Sequence, residues 1–174
     1  MNSLEKNAEF EAVVLPHLDA AYNLARWLAG NDHDAEDIAQ EATLRAFRFI
    51  KSFRNGNSKA WVLTIVRNTA YSWLKQNRPA AIVNIDNEDF LEIEDTTTPA
   101  ADSASIRSAD VALLKTVLDE LPPLFREALI LREVEGLSYK EIADIVEAPI
   151  GTVMSRLGRA RKQFETTLKG KVEK

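Results

Sequence analysis

Apolar positions in this chain recur at three-to-four spacing almost from end to end, the period of helices that bury one face. Phe10, Val14, Leu18, Tyr22 and Ala25 form the first such stripe. Pro16 should break or restart that helix, because its ring fixes φ and it lacks an N–H, and Gly30 should end it. Asp32 or Asp34 then offers an N-cap, with Asp37 closing a capping box if Asp34 is the cap. The spacing predicts a helix over about 35–51 that turns Ile38, Ala42, Leu44 or Arg45, and Phe49 inward. Arg54-Asn55-Gly56-Asn57-Ser58 is a loop by composition, and Ser58 or Asn57 should cap a helix over 59–77 that buries Val62, Ile65, Val66, Thr69 and Trp73 and stops before Pro79.

The pattern then lapses. Residues 79–108 carry acids, Thr96-Thr97-Thr98-Pro99, alanines and serines, with few apolar anchors, which reads as a linker between two units, 1–78 and 109–174. Helical spacing resumes with Val111, Leu114, Val117, Leu118 and Leu121. Pro123 suits the first turn of a helix running to about Val134, closed by Glu135-Gly136. No strand alternation survives, so the expected fold is all-α, two small helical domains joined by a flexible acidic linker.

Composition excludes more than it selects. With 45% hydrophobic and 28% charged residues, the chain can bury a core. It holds no cysteine, which removes disulfides, thiolate metal ligands and thiol nucleophiles. No apolar run is long enough to span a bilayer and no leader is visible, so a cytoplasmic protein without membrane insertion is expected. The net charge of −5 argues against a nucleic-acid partner only as an average. Residues 1–41 hold 2 bases and 9 acids, 42–78 hold 8 bases and no acid, 79–120 hold 2 bases and 10 acids, and 121–174 hold 10 bases and 8 acids. A single charge run reads as a solvated face. Two basic blocks that each coincide with a motif read as surfaces for polyanions.

The second block contains such a motif. Ser138-Tyr139-Lys140-Glu141 is a capping box that starts a short helix through Ile142, Ala143 and Ile145. After Ala148-Pro149, a second helix beginning near Gly151-Thr152 turns Val153, Leu157 and Ala160 inward and presents Met154, Ser155, Gly158, Arg159 and Lys162. Two short helices with a tight turn and a basic second helix make a helix-turn-helix unit. The alternative is an ordinary helical hairpin with a basic face.

Together with Leu121-Pro122-Pro123-Leu124-Phe125-Arg126-Glu127-Ala128 and the run from Ile150 to Arg161, this unit resembles region 4 of the extracytoplasmic-function (ECF) group of bacterial sigma-70-type sigma factors. The run from Asp34 to Phe47, and Ala60-Trp61 through Arg67-Asn68-Thr69-Ala70, resemble region 2 of the same group. The resemblance implies a dissociable subunit that binds core RNA polymerase, recognises the minus-ten and minus-thirty-five promoter elements and promotes melting. It implies promoter DNA, duplex and single-stranded, as a partner, an anti-sigma factor as another, and no cofactor.

Polymerase contacts fall, by that resemblance, on Asp37, Gln40 and Glu41. The Asp-His-Asp-Ala-Glu-Asp cluster around them would also suit a metal ion, but the helix dipole and capping already explain acids at a helix start. Thr64, Arg67, Asn68, Tyr71, Lys75 and Arg78 share one face opposite the apolar stripe. Cations mixed with an aromatic ring and an amide suit single strands. The resemblance gives the minus-ten role to Asn55, Gly56, Asn57, Ser58, Lys59, Arg67, Asn68, Tyr71 and Lys75, the loop cradling a flipped base. It gives the minus-thirty-five role to Thr152, Ser155, Arg156, Arg159 and Lys162, with Arg132 on a phosphate. Met154 and Gly158 depart from the family pattern and shrink the readable face. The acids of 86–95 are expected to thread the polymerase's RNA channel and, in the free protein, to mask the basic block 42–78.

Three rivals remain at this stage. A regulator binding duplex DNA without polymerase explains residues 138–162 but leaves the single-strand face without a role. A sigma mimic would not need the acid-free block. An enzyme lacks Cys, matched partners for His17 and His33, and a phosphate-cradling glycine loop.

Overall fold

The computed structural model describes residues 2–79 and 108–173, all of them helix or short connection. Helix α1 spans Ser3–Val13, capped by the Asn2 side chain in a box with Glu5. A 3-10 turn, Leu15–His17, carries Pro16 and restarts the chain as α2, Leu18–Ala29, which ends at Gly30 in the left-handed region with φ 87°. That much follows the sequence reading. The cap of α3, Asp32–Arg48, is Asn31 and neither aspartate: its side chain accepts from the Asp34 N–H. The extended backbone of Asn31, just past the left-handed glycine, puts its amide where the cap must sit. A second 3-10 turn, Ile50–Ser52, follows, and Asn57 caps α4, Ser58–Asn77.

After the linker come α5, Ser108–Glu120, and α6, Pro123–Leu129, which widens into a π-helical turn over Ile130–Val134. Gly136 turns the chain with φ 68°. Helix α7, Tyr139–Val146, has the full capping box of Ser138 and Glu141. Glu147 then adopts φ 54°, the left-handed conformation that reverses the chain, and α8 runs over Ile150–Val172.

Helices α2, α3 and α4 pack on one another, with Leu24, Ala25, Leu28, Ala35, Ile38, Ala42, Leu63, Val66 and Ala70 buried between them. The alanines let the helix axes approach closely while the larger side chains fill the gaps. In the second half α8 packs against α5, α6 and α7 over Phe125, Ile130, Leu131, Ile142, Ile145, Val153, Leu157 and Ala160. Each fully buried Leu or Ile contributes about 1.5–3 kcal/mol.

The two halves also pack on each other: α4 lies against α7, and α2 against α6. Several expected interior positions fall outside the core. Leu44 is 65% exposed and Phe49 53%, because α3 turns its Ala35, Ile38, Ala42 and Ala46 face to α2 and α4. Ile65 and Trp73 are only partly buried.

Candidate nucleic-acid interface

The loop before α4 and one face of α4 collect most of the residues expected to meet a melted strand. Asn55, Gly56 and Asn57 are exposed, as are Asn68 and Lys75, whereas Ser58 and Lys59 are half-buried. Ser58 Oγ lies 2.9 Å from His17 Nε2. Burial lowers the His17 imidazole pKa below its ordinary value, and the Lys59 ammonium adds to the effect.

The α4 face was expected to be masked by the acids of 86–95; among the described residues, an acid of the second half covers Arg67 and Tyr71. Glu127, from α6, has a side chain 0% exposed and holds Arg67 Nε at 2.7 Å. The Tyr71 hydroxyl donates to its other oxygen, and the Arg67 guanidinium lies 4.6 Å from the Tyr71 ring centre. Burial of Tyr71 raises its phenol pKa well above the ordinary value, and the Glu127 charge raises it further. Burial alone would lower the Arg67 pKa, but the adjoining Glu127 carboxylate outweighs that and raises it.

Two further acids from the second half meet this surface. Lys59 Nζ pairs with Glu135 Oε2 at 3.0 Å and donates to the Glu135 carbonyl at 3.0 Å, and Asn57 donates to Glu141. Asn23 also donates to Glu135, at 3.3 Å. Beside these contacts His17, Tyr22, Asn23, Lys59 and Glu135 line an open cleft of about 650 Å³ between the halves. Arg78, expected on the same nucleic-acid face, instead turns to Asp34 and donates to the Ala29 carbonyl at 2.7 Å.

The sequence reading named Glu127, Glu135 and Glu141 only as motif, helix-end and capping residues, with no covering role, yet Glu127 carried a signal. With Arg126 it interrupts the apolar positions Leu124, Phe125, Ala128 and Leu131, a setting where an acid is seldom found unless it is paired. The acids of 86–95, expected to mask this face, lie outside the described residues.

On the second half, α7 and α8 form the expected helix-turn-helix. Met154 is 54% exposed and Lys162 is exposed; Thr152, Ser155 and Arg159 are half-buried. Arg159 Nη2 donates to Ser155 Oγ at 2.9 Å, while Arg159 Nε is buried without a hydrogen-bond partner. Arg156 departs from the expectation: it is 7% exposed and shares the inward face of α8 with Val153 and Ala160, which the 3.6 period puts on the same side. Arg132 donates to the Leu137 carbonyl at 2.8 Å and stacks on Tyr139, 4.6 Å from its ring centre.

On α3, Asp37 and Gln40 are exposed, and Glu41 pairs with Arg45 at 2.8 Å. Leu44 follows on the same helical face. Asp37 also lies near His33 and Asp34, but Asp34 is engaged by Arg78 and Asn31.

The family model described as Sigma-70 region 2 matches residues 13–79, and that described as Sigma-70, region 4 matches residues 112–164. The RNA polymerase sigma-H factor of Pseudomonas aeruginosa is 32% identical over 167 residues, covering 91% of this chain and 86% of that protein. The chain belongs to the ECF group of sigma-70-type sigma factors. The ECF RNA polymerase sigma factor SigE of Mycolicibacterium smegmatis is 34% identical over 160 residues, 91% of this sigma factor but 61% of that longer relative. A solved structure of the sigma factor RpoE in complex with the anti-sigma factor NepR, from Bartonella quintana, superposes with a TM-score of 0.70 at 32% identity, covering 92% of this chain and 96% of that one. Sigma factors are non-enzymatic initiation factors that bind core RNA polymerase and recognise promoter DNA. No helix among the described residues is long and apolar enough to cross a membrane.

Proposed function

We propose that this sigma factor divides promoter recognition between residues 1–78 and 109–174, with 79–108 as the connector, and that it acts in the cytoplasm without chemistry of its own. Region 2 takes the melted minus-ten strand through Asn55, Gly56, Asn57, Ser58, Lys59, Arg67, Asn68, Tyr71 and Lys75, where exposed amides meet cations and an aromatic ring. Region 4 takes the minus-thirty-five duplex through Thr152, Ser155, Arg159 and Lys162, with Arg132 on a phosphate. Arg156 supports α8 from within. Asp37, Gln40 and Glu41 meet polymerase, and Leu44 adds an apolar contact that the sequence reading had turned inward.

The observation that carries this reading is the outward start of α8. The left-handed turn at Glu147 sets α8 on the capped α7 so that Met154 stands clear on its first turns, with the half-buried Ser155 beside it, where a helix enters the major groove. An anti-sigma factor is a further proposed partner, supported by the likeness to a sigma factor solved in complex with one. The test is reconstitution: core polymerase with this chain should produce promoter-dependent transcript, and failure to bind core polymerase refutes the reading.

A further inference from the structure

We infer that the Glu127 carboxylate occupies the anion site where region 2 receives a phosphate of the melted strand, so that region 4 closes the single-strand face of the free protein. The inference rests on the region 2 reading above and deepens it.

Residues 42–78 supply eight bases and no acid, so nothing within that block neutralises the face. Glu41 and Asp34 of region 2 take Arg45 and Arg78, and the groups on the strand-binding positions come from region 4: Glu127 on Arg67 and Tyr71, and Glu135 on Lys59, with Glu141 accepting from Asn57. Each donor engaged by region 4 is one that the strand would use. A carboxylate and a phosphate offer an arginine the same kind of partner, an anionic oxygen accepting a charge-assisted hydrogen bond. Because the Glu127 side chain is 0% exposed, a phosphate cannot share Arg67 and Tyr71 with it; one must leave before the other arrives.

The contact is suited to being exchanged. Desolvating a buried ion pair offsets much of its Coulomb attraction, and both partners recover their hydration when the halves part. Asn55 and Gly56 at one end of the surface, and Asn68 and Lys75 along α4, stay exposed in the closed form. A strand can land on these positions first and then compete for the covered ones.

The experiment measures binding of a short fluorescent single-stranded deoxyoligonucleotide to the full chain, for the wild type, Glu127→Gln, Glu135→Gln, the double variant, and a chain with the acids of 86–95 made amides. Glu127→Gln should raise affinity on the order of tenfold, the weight of about one charge-assisted bond lost from the closed state. Glu135→Gln, at the rim, should raise it less, the double variant more, and the linker variant not at all. Donor and acceptor dyes on α4 and α7 should move apart in the same order.

Unchanged affinity in both single variants, or a gain confined to the linker variant, overturns the inference. If Glu127→Gln loses its helical signal, Glu135→Gln and the dye distance on adding oligonucleotide decide: no separation on binding overturns it equally. Transcription with core polymerase is run in parallel. If the wild type supports it while the affinities stay flat, closure fails and the sigma reading stands; if the wild type gives no transcript, the sigma reading itself has failed.

Discussion

Arg126 donates from Nη1 to the carbonyl of Trp27 at 2.7 Å, tying the start of region 4 to the end of α2 one residue before Glu127 reaches α4. The same guanidinium serves the Leu118 carbonyl at 2.9 Å, Asp119 at 3.1 Å and Leu121 at 3.0 Å. One cation thus closes the C-terminal end of α5, where the helix leaves its carbonyls without partners. Burial lowers the Arg126 pKa, which marks how far the charge has left water.

Arg126→Lys should therefore destabilise the chain by about 3 kcal/mol, because a single ammonium cannot reproduce a fork aimed at four carbonyls. Urea unfolding followed by tryptophan fluorescence reads the loss. A change within experimental error would show that these bonds are replaced by water at no cost.

Acid should loosen the contact between the 3-10 turn and α4. The folded-state pKa of His17 lies below its ordinary 6.5, so folding favours the neutral ring. The stability this contributes is present above the unfolded value and is lost as pH falls through the folded one. Lys59 is the charge that acts on the ring, and Asp19, Tyr22 and Glu135 line the same cleft. Unfolding free energy compared at about pH 7 and about pH 5.5 should fall for the wild type, and by less in His17→Gln. Equal slopes in the two proteins would remove His17 from the account.

Glu147 is the one non-glycine residue with positive φ among the described residues. A side chain in the left-handed region costs roughly 1–2 kcal/mol, and glycine is the usual occupant of such a helix end. Glu147→Gly should raise thermal stability by about 1 kcal/mol, after allowing for the extra freedom glycine gains in the unfolded chain. A lower melting temperature would mean that the Glu147 charge, which acts on Arg67, matters more than the backbone strain.

Met154 stands on the outward face of α8 with Gly151 and Gly158 a turn to either side, and a Cβ at either glycine would meet nothing within 4 Å. An apolar side chain in the major groove meets the C5-methyl of thymine. Replacing thymine by deoxyuridine in a minus-thirty-five duplex should weaken binding of the wild type by several-fold and leave Met154→Ala insensitive. If both proteins tolerate deoxyuridine equally, Met154 has no part in reading.

Asn68 and Arg159 should separate the two steps of initiation. Asn68→Ala should impair promoter opening, followed by permanganate reactivity, with duplex binding held; Arg159→Ala should weaken duplex binding by about 1–3 kcal/mol and leave opening of bound promoter intact. Equal effects on both steps would count against the division of roles.

The helices and their ends were largely legible in the sequence, because capping and periodicity are local. Ser138 and Glu141 form their box three residues apart, Pro16 restarts its helix within a turn, and Val153, Leu157 and Ala160 face inward as their spacing requires. Charge counted by segment set out the basic block without an acid, and spacing set out the outward face of α8. Spacing misplaced Leu44 and Phe49, because a helix with apolar residues on more than one side does not say which side its neighbours will cover, whereas the outward role of Arg156 came from the family resemblance and not from its spacing.

What the tertiary structure alone decided is which charges meet. Arg67 and Glu127 are 60 positions apart and sit on opposite sides of the linker, and no local pattern pairs them. The pairing follows from packing α4 on α7 and α2 on α6, which removes water from part of a face whose masking the sequence reading had assigned to the acids of 86–95. The separate charge blocks were written in the sequence; that region 4 lays its own acids over the basic one is a property of the folded pair.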